Sequence, residues 1–167
     1  MKRLGKYTLE FHRPPSLLAQ AAVGGEREGG WPLADGVYRL CTDSCFGEET
    51  WEKGESAMQQ AALGKALEKA GRKADDLDYI LAGDLLNQCI GTSFGLRDFG
   101  IPFYGLYGAC STIGDSLALG SLLVAGGFAH RLGALTSSHF CPAVRQSRLP
   151  APDGRPRTAP APRPPPA

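Results

Sequence analysis

The chain lacks several things that would assign it quickly. It has no uninterrupted apolar run of the length needed to cross a bilayer, which takes about 20 residues. Its basic start, MKRLGKYTLEF, is followed by no apolar core of signal-peptide length. It has no excess of either charge: 18 Lys and Arg stand against 17 Asp and Glu, for a net +1. Nothing electrostatic therefore points to nucleic acid or to an acidic surface as partner. The five cysteines, at 41, 45, 89, 110 and 141, contain no C-x-x-C pair. Their odd number suits a reducing cytosol better than a disulfide scaffold. Cys41-x-x-x-Cys45 with His139-x-Cys141 fits no zinc motif. No metal site and no cofactor are expected.

At 167 residues the default is one domain. Residues 1–35 read as loop-rich, punctuated by Pro14-Pro15, Gly24-Gly25 and Gly29-Gly30. Ser16 to Val23 fits a short strand or a helix, and periodicity does not decide. Trp51 to Ala70 reads as an amphipathic helix. Ala57, Ala61, Leu63, Ala66, Leu67 and Ala70 form its packing side, and Lys53, Glu55, Lys65, Glu68 and Lys69 its wet side. Gly71 is its expected stop. Residues 78–82 are a buried strand, 93–99 a short helix, 102–107 a strand and 132–138 another strand. Strands alternating with helices indicate an α/β fold with a mostly parallel sheet. From 150 to 167, proline fills eight of eighteen positions and no large apolar residue occurs. That segment is expected to be an extended or disordered tail, so the folded unit is placed at 1–149.

The segment Tyr104 to Phe128, YGLYGACSTIGDSLALGSLLVAGGF, carries the most chemistry. Cys110 falls where an apolar strand ends and an uncharged helix begins. Unpaired N–H groups and the positive end of the dipole favour a thiolate there, and favour a bound carboxylate equally. No charged residue occurs from 116 to 129. At about 100° per residue its leucines point in several directions, so the helix needs cover on all sides. Gly126-Gly127 ends it too early for a membrane span. It is expected to be a core helix between two layers, with Gly114 and Gly120 admitting neighbouring backbone.

Several stretches carry a family resemblance: FGEETWEKGE (46–55), YILAGDLLNQ (79–88), GIPFYGLYGACSTIGDSLALGSLLVAGGFAHR (100–131) and LTSSHF (135–140). A strand, then G-A-C-S/T, then a buried helix resembles the thiolase superfamily, which includes ketoacyl synthases. There the cysteine at the helix start is acylated. LAGDLLNQ together with GACST resembles, more narrowly, the stage V sporulation protein AD family, over about residues 7–148. The resemblance implies the N-terminal half of a thiolase-like fold with a buried central helix. It also implies a binding protein rather than an enzyme, one that binds dipicolinic acid or its calcium chelate for uptake into the developing spore. Membrane-embedded stage V sporulation proteins would be its partners, and residues 102–107 would pair across a two-fold axis in a homodimer. Its place would be cytoplasmic or peripheral at the spore inner membrane. Family members are about twice as long, so the chain is expected to be a truncated or frame-shifted product, marginally stable or self-associating. The alternative is an acyl-transferring enzyme of thiolase or ketoacyl-synthase type with Cys110 as nucleophile. The His or Asn groups that such enzymes place beside the cysteine come from the other half.

Five residues are candidates for contact with a ligand: Asp84, Cys110, Ser111, Thr112 and His139. Asp84, Cys110 and His139 all follow strand C-terminal ends, where parallel sheets open their crevices. Each also has an ordinary reading. Cys110 fits a small buried hydrophobe, and Ser111 and Thr112 fit helix caps. Asp84 fits a turn or cap residue, with Asn87 and Gln88 as polar or loop-fixing neighbours, and His139 fits a turn histidine. An acidic side chain at 84 repels a dicarboxylate unless it is protonated, paired with a base, or met by calcium or the ring nitrogen. Arg131 and Arg145 read as solvated.

Overall fold

The computed structural model describes residues 1–30, 32, 34–139 and 141–143. Arg145 and the proline-rich segment 150–167 lie outside the described residues. The elements in chain order are β1 (Lys2–Leu4), β2 (Thr8–Glu10), β3 (Val23–Gly25), β4 (Arg39–Cys41), α1 (Trp51–Ala70), β5 (Tyr79–Gly83), α2 (Ile90–Leu96), β6 (Phe103–Gly105), α3 (Thr112–Ala125) and β7 (Leu132–Thr136). The fold is α/β with mostly parallel strands. β6, β5 and β7 form a parallel sheet with β5 in the centre. The register sets Ile80 opposite Phe103 and Gly133, and Ala82 opposite Gly105 and Leu135.

β5 is buried along almost its whole length because both its faces are covered. Ile80 and Ala82 join Leu63 of α1 and Leu96 of α2 in one core. Leu81, on the opposite face, meets α3 beside Gly120. The strand's continuous apolar run is the pattern of a two-sided parallel strand. Asp78 ties the sheet at its entrance, accepting from the backbone N–H groups of His130 (2.6 Å) and Arg131 (3.1 Å).

α1 has the expected limits. Thr50 caps it by accepting from Lys53 N, and Gly71 closes it in the left-handed region at φ 61°. Its wet side is not as expected. Glu55 has no exposed surface, and the buried stripe is Gly54, Glu55, Gln59 and Leu63. The reason is close packing: a Cβ on Gly54 would stand 2.5 Å from the Cys45 carbonyl, and one on Gly95 of α2 2.9 Å from the Ser56 carbonyl. Backbone pressed that near leaves the neighbouring side chains no route to water.

Other differences follow from local geometry. The short helix begins at Ile90, three residues before the expected start, because Gln88 and Cys89 turn the chain at φ 59° and 50°. The stretch from Ser16 enters a strand only at Val23, where β3 pairs in parallel with β4. α3 is covered on one side. It buries Thr112, Ser116 and Gly120, a stripe of small residues against the sheet, while Ile113, Leu117 and Leu119 are exposed. Gly120 is the close approach, with a Cβ there 2.7 Å from Leu132 Cδ1, whereas Gly114 has nothing within 4 Å. Among the described residues no helix is long and apolar enough to cross a membrane.

Candidate functional site

The loop before α1 is set by Asp43, whose two carboxylate oxygens accept from Cys45 N (3.0 Å) and Gly47 N (2.7 Å). This turn brings Gly54 against Cys45 and so delivers Glu55 and Gln59 to the interior. On the other side of α1, a Cβ on Gly91 would lie 3.3 Å from Glu55 Cγ and 3.4 Å from Asp84 Oδ2. Two carboxyl groups on different elements are thereby drawn into one buried region.

They are joined by a chain of hydrogen bonds. Thr92 Oγ1 donates to Asp84 Oδ2 at 2.5 Å. Gln59 Nε2 donates to Thr92 Oγ1 (3.0 Å) and to Ser137 Oγ (2.8 Å). The Ser137 hydroxyl donates to Glu55 Oε1 in a short contact. The backbone N–H of His139 approaches the same oxygen at 3.4 Å. One amide thus feeds two hydroxyls, and each hydroxyl feeds a carboxyl. Glu55 Oε2 and Gln59 Oε1 are buried without a hydrogen-bond partner. Burial pushes the Glu55 carboxyl up to about 7, helped by the Asp84 charge and opposed by the Ser137 hydrogen bond.

Glu55 and Gln59 form part of the wall of a cavity of about 740 Å³. The cavity lies past the C-terminal end of β7, between α1, the β3 strand and the loop after β4, and Ser137 and His139 line it too. Its size falls within the usual range for small-molecule sites, roughly 300–1,000 Å³. Its lining includes Glu26, Glu28 and Asp43. Among the described residues, no group of three or more His, Cys, Asp and Glu side chains is placed to hold a metal ion.

Of the five candidates from the sequence, His139 is on this cavity, with Nε2 2.6 Å from the Ser44 carbonyl. Asp84 is 6 % exposed, and both of its oxygens are engaged, by Leu86 N (2.7 Å), Thr92 N (2.7 Å) and the Thr92 hydroxyl. It fixes the turn from β5 into α2 and reaches the cavity only through Thr92 and Gln59. Thr112 is fully buried against β5, with its hydroxyl unpaired. The Ser111 hydroxyl has its one proton shared between two acceptors, Gly108 O (2.9 Å) and Asp115 Oδ2 (2.8 Å), so the helix's own acid occupies the start of α3. Cys110 is exposed and lies apart from the cavity lining. It follows Ala109, held at φ 48°, within a short 3-10 turn leading into α3. That conformation is costly for a residue with a Cβ, and such strain concentrates where a side chain must be presented.

Glu55, Gln59, Thr92 and Ser137 are the site residues that sequence reasoning missed. The available signal was spacing: positions 55, 59 and 63 share one face of α1, and Leu63 is plainly apolar.

The family model of Stage V sporulation protein AD matches residues 5–162, extending past the point near 148 where the resemblance quoted above ends. Stage V sporulation protein AD of Bacillus subtilis (strain 168) is 38 % identical over 161 residues, which cover 95 % of this chain and 48 % of that relative. The chain therefore spans about half the length of the curated relative it matches. With the match running through both the buried polar chain and the Cys110 turn, this chain belongs to the stage V sporulation protein AD family.

Proposed function

We propose that the chain is a dipicolinate-binding component of spore formation, without enzymatic turnover, and that the cavity beside Glu55 and His139 receives the ligand. The observation that carries this reading is a cavity of about 740 Å³ with a buried polar wall in a chain of this family. A pyridine dicarboxylate fits such a volume with room for a cation. Glu26, Glu28 and Asp43 in the lining repel a bare dianion, and a calcium ion arriving with the ligand offsets that repulsion. The cation travels with the ligand in this reading. Membrane-embedded stage V sporulation proteins are the proposed partners, at the spore inner membrane. β6 is an edge strand of the three-stranded sheet and is proposed to pair across a two-fold axis in a homodimer.

Titration calorimetry of the chain with dipicolinate, with and without calcium, tests this. Saturable heat that is larger with calcium and reduced by His139→Ala supports it. An absence of heat under both conditions refutes it.

A second reading, acyl transfer through Cys110, rests on the exposed thiol after strained Ala109. His139 does not serve it as a base, because His139 lines the cavity and Cys110 lies outside that lining. Incubation with an acyl-CoA followed by mass spectrometry separates the two readings: an adduct on Cys110 favours transfer, and its absence leaves binding alone.

A further inference from the structure

We propose that Glu55, in its neutral form, is a hydrogen-bond donor to a ligand carboxylate in the cavity, so that binding there takes up one proton. This rests on the dipicolinate reading for the identity of the ligand, and otherwise on the wall of the cavity alone. Glu55 is fully buried in the wall that it helps to form, so the proposed contact requires its carboxyl to turn out into the cavity. Its Oε1 is already an acceptor for the Ser137 hydroxyl and the His139 N–H. Oε2 has no partner. A fully buried acid with one oxygen acting as acceptor and the other idle is best satisfied by a proton on the idle oxygen and an acceptor beyond it. A carboxylate is an acceptor of that kind, and a hydrogen bond to an ionised group is among the stronger ones. The proton comes from solvent, and no covalent bond changes.

The charged surroundings act in the same direction. From the β5–α2 turn, Asp84 adds repulsion against an ionised Glu55, as does Glu52 on α1 itself. β3, α2 and β7 contribute no titratable side chain of their own. The cavity contributes Glu26, Glu28, Asp43 and the thiols of Cys41 and Cys141. His139 is the one imidazole among the cavity-lining residues, and its ring nitrogen is directed at Ser44 rather than at Glu55. Burial raises the Glu55 carboxyl to about 7, so the neutral form is available near neutrality.

The test is calorimetry of the full 167-residue chain with dipicolinate, with and without calcium, between pH 5.5 and 8.5, in two buffers of different ionisation heat. Dipicolinate stays a dianion through this range, because carboxylic acids ionise near pH 4. Expected are uptake of about one proton per ligand at pH 8 and about none at pH 6, with affinity falling about tenfold per pH unit above 7. The wild-type proton count needs no variant, so the test holds even where a substitution impairs folding. In Glu55→Gln, which carries a donor that does not titrate, the slope should vanish. Binding with no proton uptake and no slope overturns the inference and leaves the carrier reading standing. A slope that persists in Glu55→Gln also overturns it and assigns the effect to His139. No binding at any pH overturns the carrier reading and this inference together.

Discussion

Burial of Glu55 favours the neutral acid, and the stability consequence has a definite sign. The carboxyl ionises near 4.5 when unfolded and near 7 when folded. Below pH 4.5 both states hold the proton and the difference contributes nothing. Between 4.5 and 7 the folded state holds more protons, so stability falls as pH rises. Above 7 the full cost applies, on the order of 3 kcal/mol. Glu55→Gln should therefore raise the melting temperature relative to wild type at pH 8, with the gap closing toward pH 4.5. Thermal denaturation followed by circular dichroism measures this, and equal gaps at both pH values contradict it. Cysteine reactivity gives a second check at this scale. Cys110 is exposed and Cys89 is 1 % exposed, its thiol donating to the Leu106 carbonyl at 3.5 Å. Alkylation of the native chain mapped by mass spectrometry should modify Cys110 first and Cys89 only on unfolding. Glu55 was illegible in the sequence because a glutamate between Lys53 and Lys65 looks solvated by residue type. What buries it is the backbone approach at Gly54, which depends on Cys45 in a loop that no periodicity locates. The turn role of Asp84 was legible as one of two readings, since aspartate after a strand is common in both.

Among the elements, α3 shows how a helix with no charge from 116 to 125 chooses its face. The small residues Thr112, Ser116 and Gly120 go inward, because β5 and β7 lie too close for leucine. Gly120→Ala would set a Cβ 2.7 Å from Leu132 Cδ1, and overpacking of this kind costs about 1–3 kcal/mol. Gly114→Ala meets nothing within 4 Å and should stabilise the helix by about 0.5–1 kcal/mol. Urea titration of the two variants should give opposite signs, and a shared sign contradicts the packing described. α1, β5 and β7 were legible because their apolar runs are long or bounded by glycine. β1, β2, β3 and β4 were not, since each is only three residues long, too short to show a period. The start of α2 was misplaced because left-handed residues at Gln88 and Cys89 leave no signature in residue type.

For the molecule as a whole, several large apolar side chains stand uncovered. Leu117 is 46 % exposed and Phe94 56 %, with Tyr104 and Tyr107 beside the β6 edge also open. Exposed apolar side chains of this size promote association. Sedimentation velocity should show a weight-average coefficient that rises with concentration, and Leu117→Lys should lessen the rise. A concentration-independent monomer contradicts the expectation. The most direct test of the central claim is a crystal structure of the chain with dipicolinate and calcium. The account predicts ligand density in the cavity past β7, with a carboxylate oxygen within hydrogen-bond distance of Glu55. Density at Cys110, or an empty cavity at saturating ligand, would contradict it.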